Sequence, residues 1–443
     1  MSDRRFTAAV ALVGLVFVAA VYAPDVGHGF IKDDFRWLAD VRLVRAAPSE
    51  AIFPSLPNFY RPVVTSTFLA DYAVAGLDSR LYGFTNLLFY ILCAAGIFGL
   101  LRAVGVGPPA AAVGAFAWAA NPHGISMAVV WISGRTSLLV TLFAVLSLTA
   151  FLYRRRFLGS VLLFAALLSK EEAILLPVAM FAALLLLRPR TTRSMMLDGV
   201  ALLVPVAAYF ALRSSTLALT PWTVPSFYKP TWQPAAIAGN VIEYLDRGAT
   251  FFAVIAAIGV AAYGWRGIGK MSLPLIFTGL AWFAGSYAMT VWLPVRSSLY
   301  AVLPSVGSAI ACAAVLESLR DRAATRFGDR RLLAALAIVL VCIPIYRSRN
   351  GRWVDAANLS AQTMRVLTAE APPEHSTGVV VFEDEAGPRA TFDTALGSLA
   401  SVAVQIETNR PLQALVTAPG HHWTGPCAAR YRLTAGRVAR VEE

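Results

Sequence analysis

Phe30-Ile31-Lys32-Asp33-Asp34-Phe35-Arg36-Trp37 places two adjacent carboxylates directly after the first long apolar run, Phe6 to Ala23. Nearly everything around them is apolar. Of 443 residues, 57% are hydrophobic and only 14% are charged, which is too apolar for a chain folded in water. Ten further apolar runs follow, at 83–101, 108–121, 126–152, 157–169, 173–187, 195–212, 249–264, 271–291, 299–316 and 332–346. Each predicts a helix near bilayer length, the shorter ones tilted or partly buried, so about eleven transmembrane helices are expected.

The net charge of +12 does not mark a nucleic-acid binder, because the basic residues cluster in short loops and form no basic helix or Arg/aromatic module. Arg102, Arg154-Arg155-Arg156, Arg188 to Arg193, Arg266 with Lys270, and Arg320 to Arg331 all fall on the side of the N-terminus. The positive-inside rule makes that side cytoplasmic and puts the Asp33-Asp34 loop and the C-terminus outside. Val21-Tyr22-Ala23 resembles a signal-peptide cleavage site, but the later spans need this first one to keep their topology consistent. Abundant Arg, Ala and Gly with little Lys point to a bacterial inner membrane.

The expected architecture is an all-α polytopic membrane protein with a small C-terminal α/β or β-rich extracytoplasmic domain. Residues 1–346 form the membrane module, and its first outer loop is 24–82. That loop opens with an amphipathic helix from Asp34 to Arg45, carrying Trp37, Leu38, Val41 and Val44 on one face. The outer C-terminal region is 347–443. It begins as an amphipathic helix (Trp353, Leu359, Met364, Leu367), breaks at Pro372-Pro373, and continues as a small domain from about 374. Val379 to Phe382, Val402 to Ile406 and Leu412 to Val416 read as strands, and Ala435-Gly436 as a hairpin turn. Cys93, Cys312 and Cys342 lie in apolar runs and Cys427 stands alone, so no disulfide framework is expected. His28, His123, His375, His421 and His422 lack metal-ligand spacing. Trp131, Trp222, Trp232 and Trp292 lie near span ends, as an aromatic belt does.

Two features carry chemistry. A carboxylate at a membrane surface can take the proton of an acceptor hydroxyl as it attacks a sugar carbon. Asp33 and Asp34 are the candidates, one as base and the other orienting the site; the competing reading is that one of them caps the helix starting there. The second feature is cations at predicted outer helix ends: Arg135, Lys170, Arg213 and Arg296. The positive-inside rule does not place them there, and a lipid phosphate is one partner that would. Snorkelling to headgroups, or pairing with Glu171, Glu172 or Glu243, is the other reading.

The chain resembles the C-type glycosyltransferase superfamily, above all the transmembrane O-mannosyltransferases with tetratricopeptide repeats, and more distantly the protein O-mannosyltransferases. Phe30-Ile-Lys-Asp33-Asp34 looks like the superfamily's first-loop acidic motif. Tyr60-Arg61-Pro62-Val63, Asp71-Tyr72, Gly76-Leu77-Asp78 and Thr85-Asn86-Leu87-Leu88 follow in the family's order. So do Gly134-Arg135 with Leu138-Leu139, Lys170-Glu171, Tyr209 to Arg213, Arg296 to Tyr300 with Leu303-Pro304-Ser305, and Arg349-Asn350 with Trp353. The likeness covers about residues 1–370. Two departures stand out. Asn121-Pro122-His123-Gly124-Ile125-Ser126 replaces a His-Pro-x-His-x-Glu stretch, and the repeats are absent.

The resemblance implies an inverting membrane glycosyltransferase (hexosyltransferase) that takes a sugar, with mannose as one candidate, from a polyprenyl-phosphate-linked donor. The acceptor would be a protein or a glycan on the extracytoplasmic side. It implies Asp33 as base with Asp34 as alternate, and Arg135, Lys170, Arg213 and Arg296 on the donor phosphate. Tyr60, Arg61, Glu171, Tyr300 and His123 become pocket residues. No cofactor is expected; a monophosphate donor does not demand a metal, whereas a diphosphate donor would favour one. A transporter or flippase of a lipid-linked sugar would use the same cations without the paired acids, and would favour internal inverted repeats, which are not seen. A non-catalytic lipid-sugar-binding scaffold of the same fold is the third reading.

Overall fold

The computed structural model describes the chain except residues 189–190, 221–222, 267–271, 322–326, 373–377, 385–389 and 442–443. Trp222, Lys270, His375, Pro373 and the basic residues Arg190, Arg322 and Arg326 therefore lie outside the described residues.

Helix α1 (Asp3–Val21) leads into the first outer loop, which holds α2 (Asp33–Ala46) and α3 (Pro62–Ala75). The apolar face predicted for α2 is buried: Trp37, Leu38, Val41 and Val44 all point inward. The membrane module continues with α4 (Ser79–Ala103), α5 (Pro108–Ala119), α6 (Ile125–Val130), α7 (Arg135–Leu152), α8 (Arg156–Leu167) and α9 (Leu176–Leu187). It ends with α10 (Thr192–Ser214), α11 (Pro234–Leu245), α12 (Phe251–Tyr263), α13 (Leu273–Tyr287), α14 (Ser305–Asp321), α15 (Phe327–Val341) and α16 (Ile343–Ala369).

All of the predicted apolar runs are helical over most of their length, but they are not equivalent. Among the described residues six stretches are long and apolar enough to cross a membrane: 3–25, 79–103, 132–152, 192–214, 234–263 and 298–321. Helices α15 and α16 add a seventh if taken as one span, bent by 41°. Of the eleven expected spans, these six or seven meet that length and composition. Helices α5, α8 and α9 have 12 residues each, roughly 18 Å of rise against a hydrocarbon core of about 30 Å. Helix α5 is sheathed by protein: every residue from Pro109 to Ala119 is buried against neighbours that include α1, α4 and α14. The run 126–152 is interrupted at Trp131–Gly134, where the backbone tightens before α7 begins. The chain is an integral membrane protein.

Helix α16 leaves the bundle and carries the C-terminal domain. This domain has β1 (Val379–Asp384), α17 (Phe392–Ala395), α18 (Ala400–Thr408), β2 (Gln413–Val416), β3 (Ala429–Thr434) and β4 (Arg437–Val441). The sheet order is β2-β1-β3-β4, with β1 parallel to β2 and β3, and β4 antiparallel to β3. Central β1 is buried from Val380 to Asp384, as a parallel strand covered on both faces should be. Ala435-Gly436 closes the β3–β4 hairpin with positive φ at both residues. One expectation is corrected: Val402 to Ile406 is helical, not a strand. Ala400, Ala403 and Val404 bury one face at helical spacing, and Asn409 ends the helix in the left-handed region.

The apolar interior falls into two main parts. One fills the helical bundle. The other joins α2 and α3 to α16 and the small domain through Phe30, Phe35, Trp37 and Leu38 packed with Leu359, Phe392, Leu396 and Val404.

Candidate active site

The two adjacent aspartates part company in the structure. Lys32, just before α2, has φ 44°, a left-handed value that L-residues rarely adopt. The turn it makes sends Asp34 inward, fully buried. There it accepts hydrogen bonds from Ile31 N at 2.9 Å and Ser133 N at 2.7 Å, and a short one from the Ser133 hydroxyl. Burial pushes its carboxyl up to about 7, against these three donors, which pull it down. Asp33 faces the other way, into a cavity of about 770 Å³. Crowding by protein raises its carboxyl, while Arg61 and Lys32 pull it down.

Residues from five segments far apart in sequence line this cavity with Asp33: Arg61, Lys170 with Glu171, Arg247, Arg296 to Tyr300, and Arg352-Trp353. Arg61 makes a two-pronged pair with Glu171, Nη2 to Oε1 at 2.6 Å and Nε to Oε2 at 3.0 Å. Burial pushes the Glu171 carboxyl up, but Arg61 outweighs it and holds it down at about 2. Lys170 is buried, its Nζ 2.6 Å from Glu172 and 2.9 Å from the Ser137 hydroxyl, and 5.1 Å from the centre of the Tyr300 ring. Arg296 donates to Asn240 Oδ1 at 2.7 Å and pairs with Glu243 at 3.0 Å. Arg247 shares that same Glu243. Arg352 lies over Trp353, which stacks on Trp131 at 5.6 Å with 3° between the planes.

The balance of charge along the wall decides what the cavity would hold. Lys32, Arg36, Arg61, Lys170, Arg247, Arg296 and Arg352 face Asp33 and Glu171. Arg36 is balanced by Asp40, Arg61 by Glu171 and Lys170 by Glu172, and one Glu243 serves two arginines. Among the described residues Lys32 and Arg352 have no carboxylate within ion-pair distance. The wall keeps an excess of positive charge suited to an anion.

Of the predicted site residues, Asp33, Arg61, Lys170, Glu171, Arg296 and Tyr300 come together here. The others do not line the cavity. Arg135 is fully buried elsewhere, paired with Asp71 at 2.7 Å and donating to Asn86 Oδ1 and the Tyr82 carbonyl; its guanidinium ties α3, α4 and α7 and has no free face for a phosphate. Arg213 supports the wall from behind, bonding the Tyr209 hydroxyl at 2.6 Å and the carbonyl of Leu219. Tyr60 is buried against Tyr209, with ring centres 5.9 Å apart. His123 sits half-buried in its turn, its N–H bonded to Asn121 Oδ1. Asp34 is the buried strut described above.

Arg247, Arg352, Lys32 and Tyr228 line the cavity without having been singled out from sequence. Arg247 had a usable signal: an arginine inside a 30-residue apolar helical stretch, 234–263, is an expensive residue. It lies in a π-helical turn, Asp246–Thr250. The carbonyl of Arg247 accepts from the buried Asn121 side chain at 3.2 Å, so the departing Asn121-Pro122-His123 stretch anchors this turn. Among the described residues no three His, Cys, Asp or Glu side chains come together as a metal site.

No protein family model matches the sequence, and no curated protein matches it. Solved structures do. The apo form of ArnT from Cupriavidus metallidurans superposes with TM-score 0.58 at 12% identity, over 93% of this chain and 86% of that one. ArnT from the same organism bound to undecaprenyl phosphate gives 0.53 at 14% identity, over 94% and 86%. The archaeal oligosaccharyltransferase AglB from Archaeoglobus fulgidus, in complex with an inhibitory peptide and a dolichol-phosphate, gives 0.50 at 12%, over 92% and 64%. The chain has the C-type glycosyltransferase fold. At these identities the likeness is one of fold, and what the site does has to be argued from its own residues.

Proposed function

We propose that this protein is an integral membrane glycosyltransferase that transfers a sugar from a polyprenyl-phosphate-linked donor to a hydroxyl of a protein or glycan acceptor. The observation that carries the reading is Asp33: an accessible carboxylate in a large cavity whose wall has more cations than carboxylates, in a fold shared with ArnT and AglB. Ionised Asp33 takes the proton from the acceptor hydroxyl. The hydroxyl oxygen attacks the anomeric carbon from the face opposite the phosphate, the carbon–oxygen bond to phosphate breaks, and the configuration inverts. The leaving polyprenyl phosphate carries away the bonding pair, and its charge is met by Lys170, Arg296, Arg247 and Arg352. Asp34 orients the loop that presents the base. We take mannose as the first sugar to test, put the reaction on the extracytoplasmic face of a bacterial inner membrane with the N-terminus cytoplasmic, and expect no requirement for a divalent metal.

The test uses purified protein in nanodiscs, radiolabelled polyprenyl-phosphate sugars, and membrane extract as acceptor, with and without EDTA. Label should move in wild type, persist in EDTA, and fall by roughly 10²- to 10⁴-fold in Asp33→Asn with donor binding intact. Donor binding without transfer in wild type would put a scaffold first. Passage of donor across sealed vesicles without transfer would put a flippase first.

A further inference from the structure

The C-terminal domain touches the acidic loop at Lys32, whose backbone is strained. Lys32 N donates to the carbonyl of Ala395, at the end of α17, at 3.0 Å. Gly397 stands against the Lys32 side chain: a Cβ there would lie 3.8 Å from Lys32 Cγ and Cε. Arg42, farther along α2, donates to the carbonyl of Ile406 at 2.6 Å, near the C-terminal end of α18. Phe30, Phe35 and Leu38 share a core with Phe392, Leu396 and Val404. On the opposite side Gly29 lies so close to α16 that a Cβ would come within 2.6 Å of the Ala357 carbonyl. The loop therefore runs between α16 and the small domain, with Asp34 pinned below it by Ser133.

That arrangement accounts for the conformation at Lys32. A non-glycine residue at positive φ persists only where its surroundings over-determine it. Here the turn closes through Asp34 N to the Ile31 carbonyl and Phe35 N to the Lys32 carbonyl, both at 3.0 Å. The same turn points Asp34 to Ser133 and Asp33 to the cavity. If Lys32 relaxed to negative φ, the turn would open and Asp33 would leave its station.

We propose that the C-terminal domain is a clamp for the acidic loop, acting through Phe392–Gly397 on Lys32 and through α18 on Arg42, so that Asp33 faces the cavity. Lys32, Gly397 and Arg42 are then positioning residues for the reaction. The inference rests on the functional reading above for its kinetic half alone; the clamp itself is a statement about the loop.

The experiment compares full-length Gly397→Val with Gly436→Val in nanodiscs. Both glycines have positive φ, 53° and 76°, so both valines are strained; Gly436 has open space around it at the far hairpin. Amide exchange of peptides covering residues 28–36 should rise by roughly 10-fold or more in Gly397→Val and stay at the wild-type rate in Gly436→Val. In the transfer assay Gly397→Val should lose roughly 10- to 100-fold in kcat with donor KM within about twofold, and the control should lose nothing. Should Gly397→Val not fold, Arg42→Met cuts the second tie without backbone strain and should loosen the same peptides. Unchanged exchange in residues 28–36 in the folded variant overturns the clamp, whether or not wild type transfers sugar. Loosened exchange with normal kcat overturns the positioning role.

Discussion

Arg61 and Glu171 form one ion pair beside Asp33, and their removal should move the pH profile in opposite directions. On the proposed mechanism ionised Asp33 is the active form, so kcat/KM should fall as pH drops through its pKa. Burial raises that pKa, and Arg61 is the first charge pulling it down. Arg61→Met removes this pull. The acid limb should move to higher pH. Glu171→Gln removes the anion that neutralises Arg61, so the acid limb should move to lower pH. Glu171 goes from an ordinary 4.5 to about 2 in the folded state. A depressed carboxylate contributes stability above its ordinary pKa and loses it as pH falls toward 2, on the order of 3 kcal/mol. Glu171→Gln should therefore melt earlier than wild type at neutral pH and converge with it in acid. The assay is initial transfer rate from pH 4.5 to 8.5 at subsaturating donor, with melting in parallel. Shifts of the same sign in both variants, or a limb that neither moves, would mean that Asp33 is not the titrating base.

Two further expectations separate residues that chemistry uses from residues that hold the frame. Asp34→Asn puts an amide NH₂ against either Ile31 N–H or the Ser133 donors, leaving a buried group unmet at a cost of about 1–3 kcal/mol, read as a lower melting midpoint. Burial raises the Asp34 carboxyl from 3.8 to about 7, so the stability held by its protonated form is complete below about pH 4 and lost as pH rises through 7; the deficit of Asp34→Asn should shrink across that window. Normal melting with lost transfer would instead make Asp34 the base. Arg135→Met strands Asp71 in the interior and should cost about 3–5 kcal/mol, seen as poor yield and early melting, with donor affinity unchanged in what folds. Normal melting with donor binding weakened by roughly 10-fold or more would return Arg135 to the phosphate.

What the sequence made legible here follows from which forces are local. Apolar runs are local, so the helices and the amphipathic face of α2 could be read directly. How a run is packed is set by its neighbours: α5 reads as a span in sequence, and what the sequence does not reveal is that other helices enclose all of it from Pro109 to Ala119. The same division runs through the site. A cation on an outer helix end signals a partner but does not name it. Lys170 and Arg296 found partners and still reach the cavity, whereas Arg135 met Asp71, 64 positions earlier, and disappeared into the frame. Asp33 and Asp34 are identical in chemistry and adjacent in sequence. One backbone angle at Lys32 separates their roles, and the groups that hold it, Ala395 and Gly397, lie more than 360 positions downstream. No local pattern encodes that contact. The acids therefore announce where chemistry could occur, while which acid faces the cavity depends on the far end of the chain folding back over the loop.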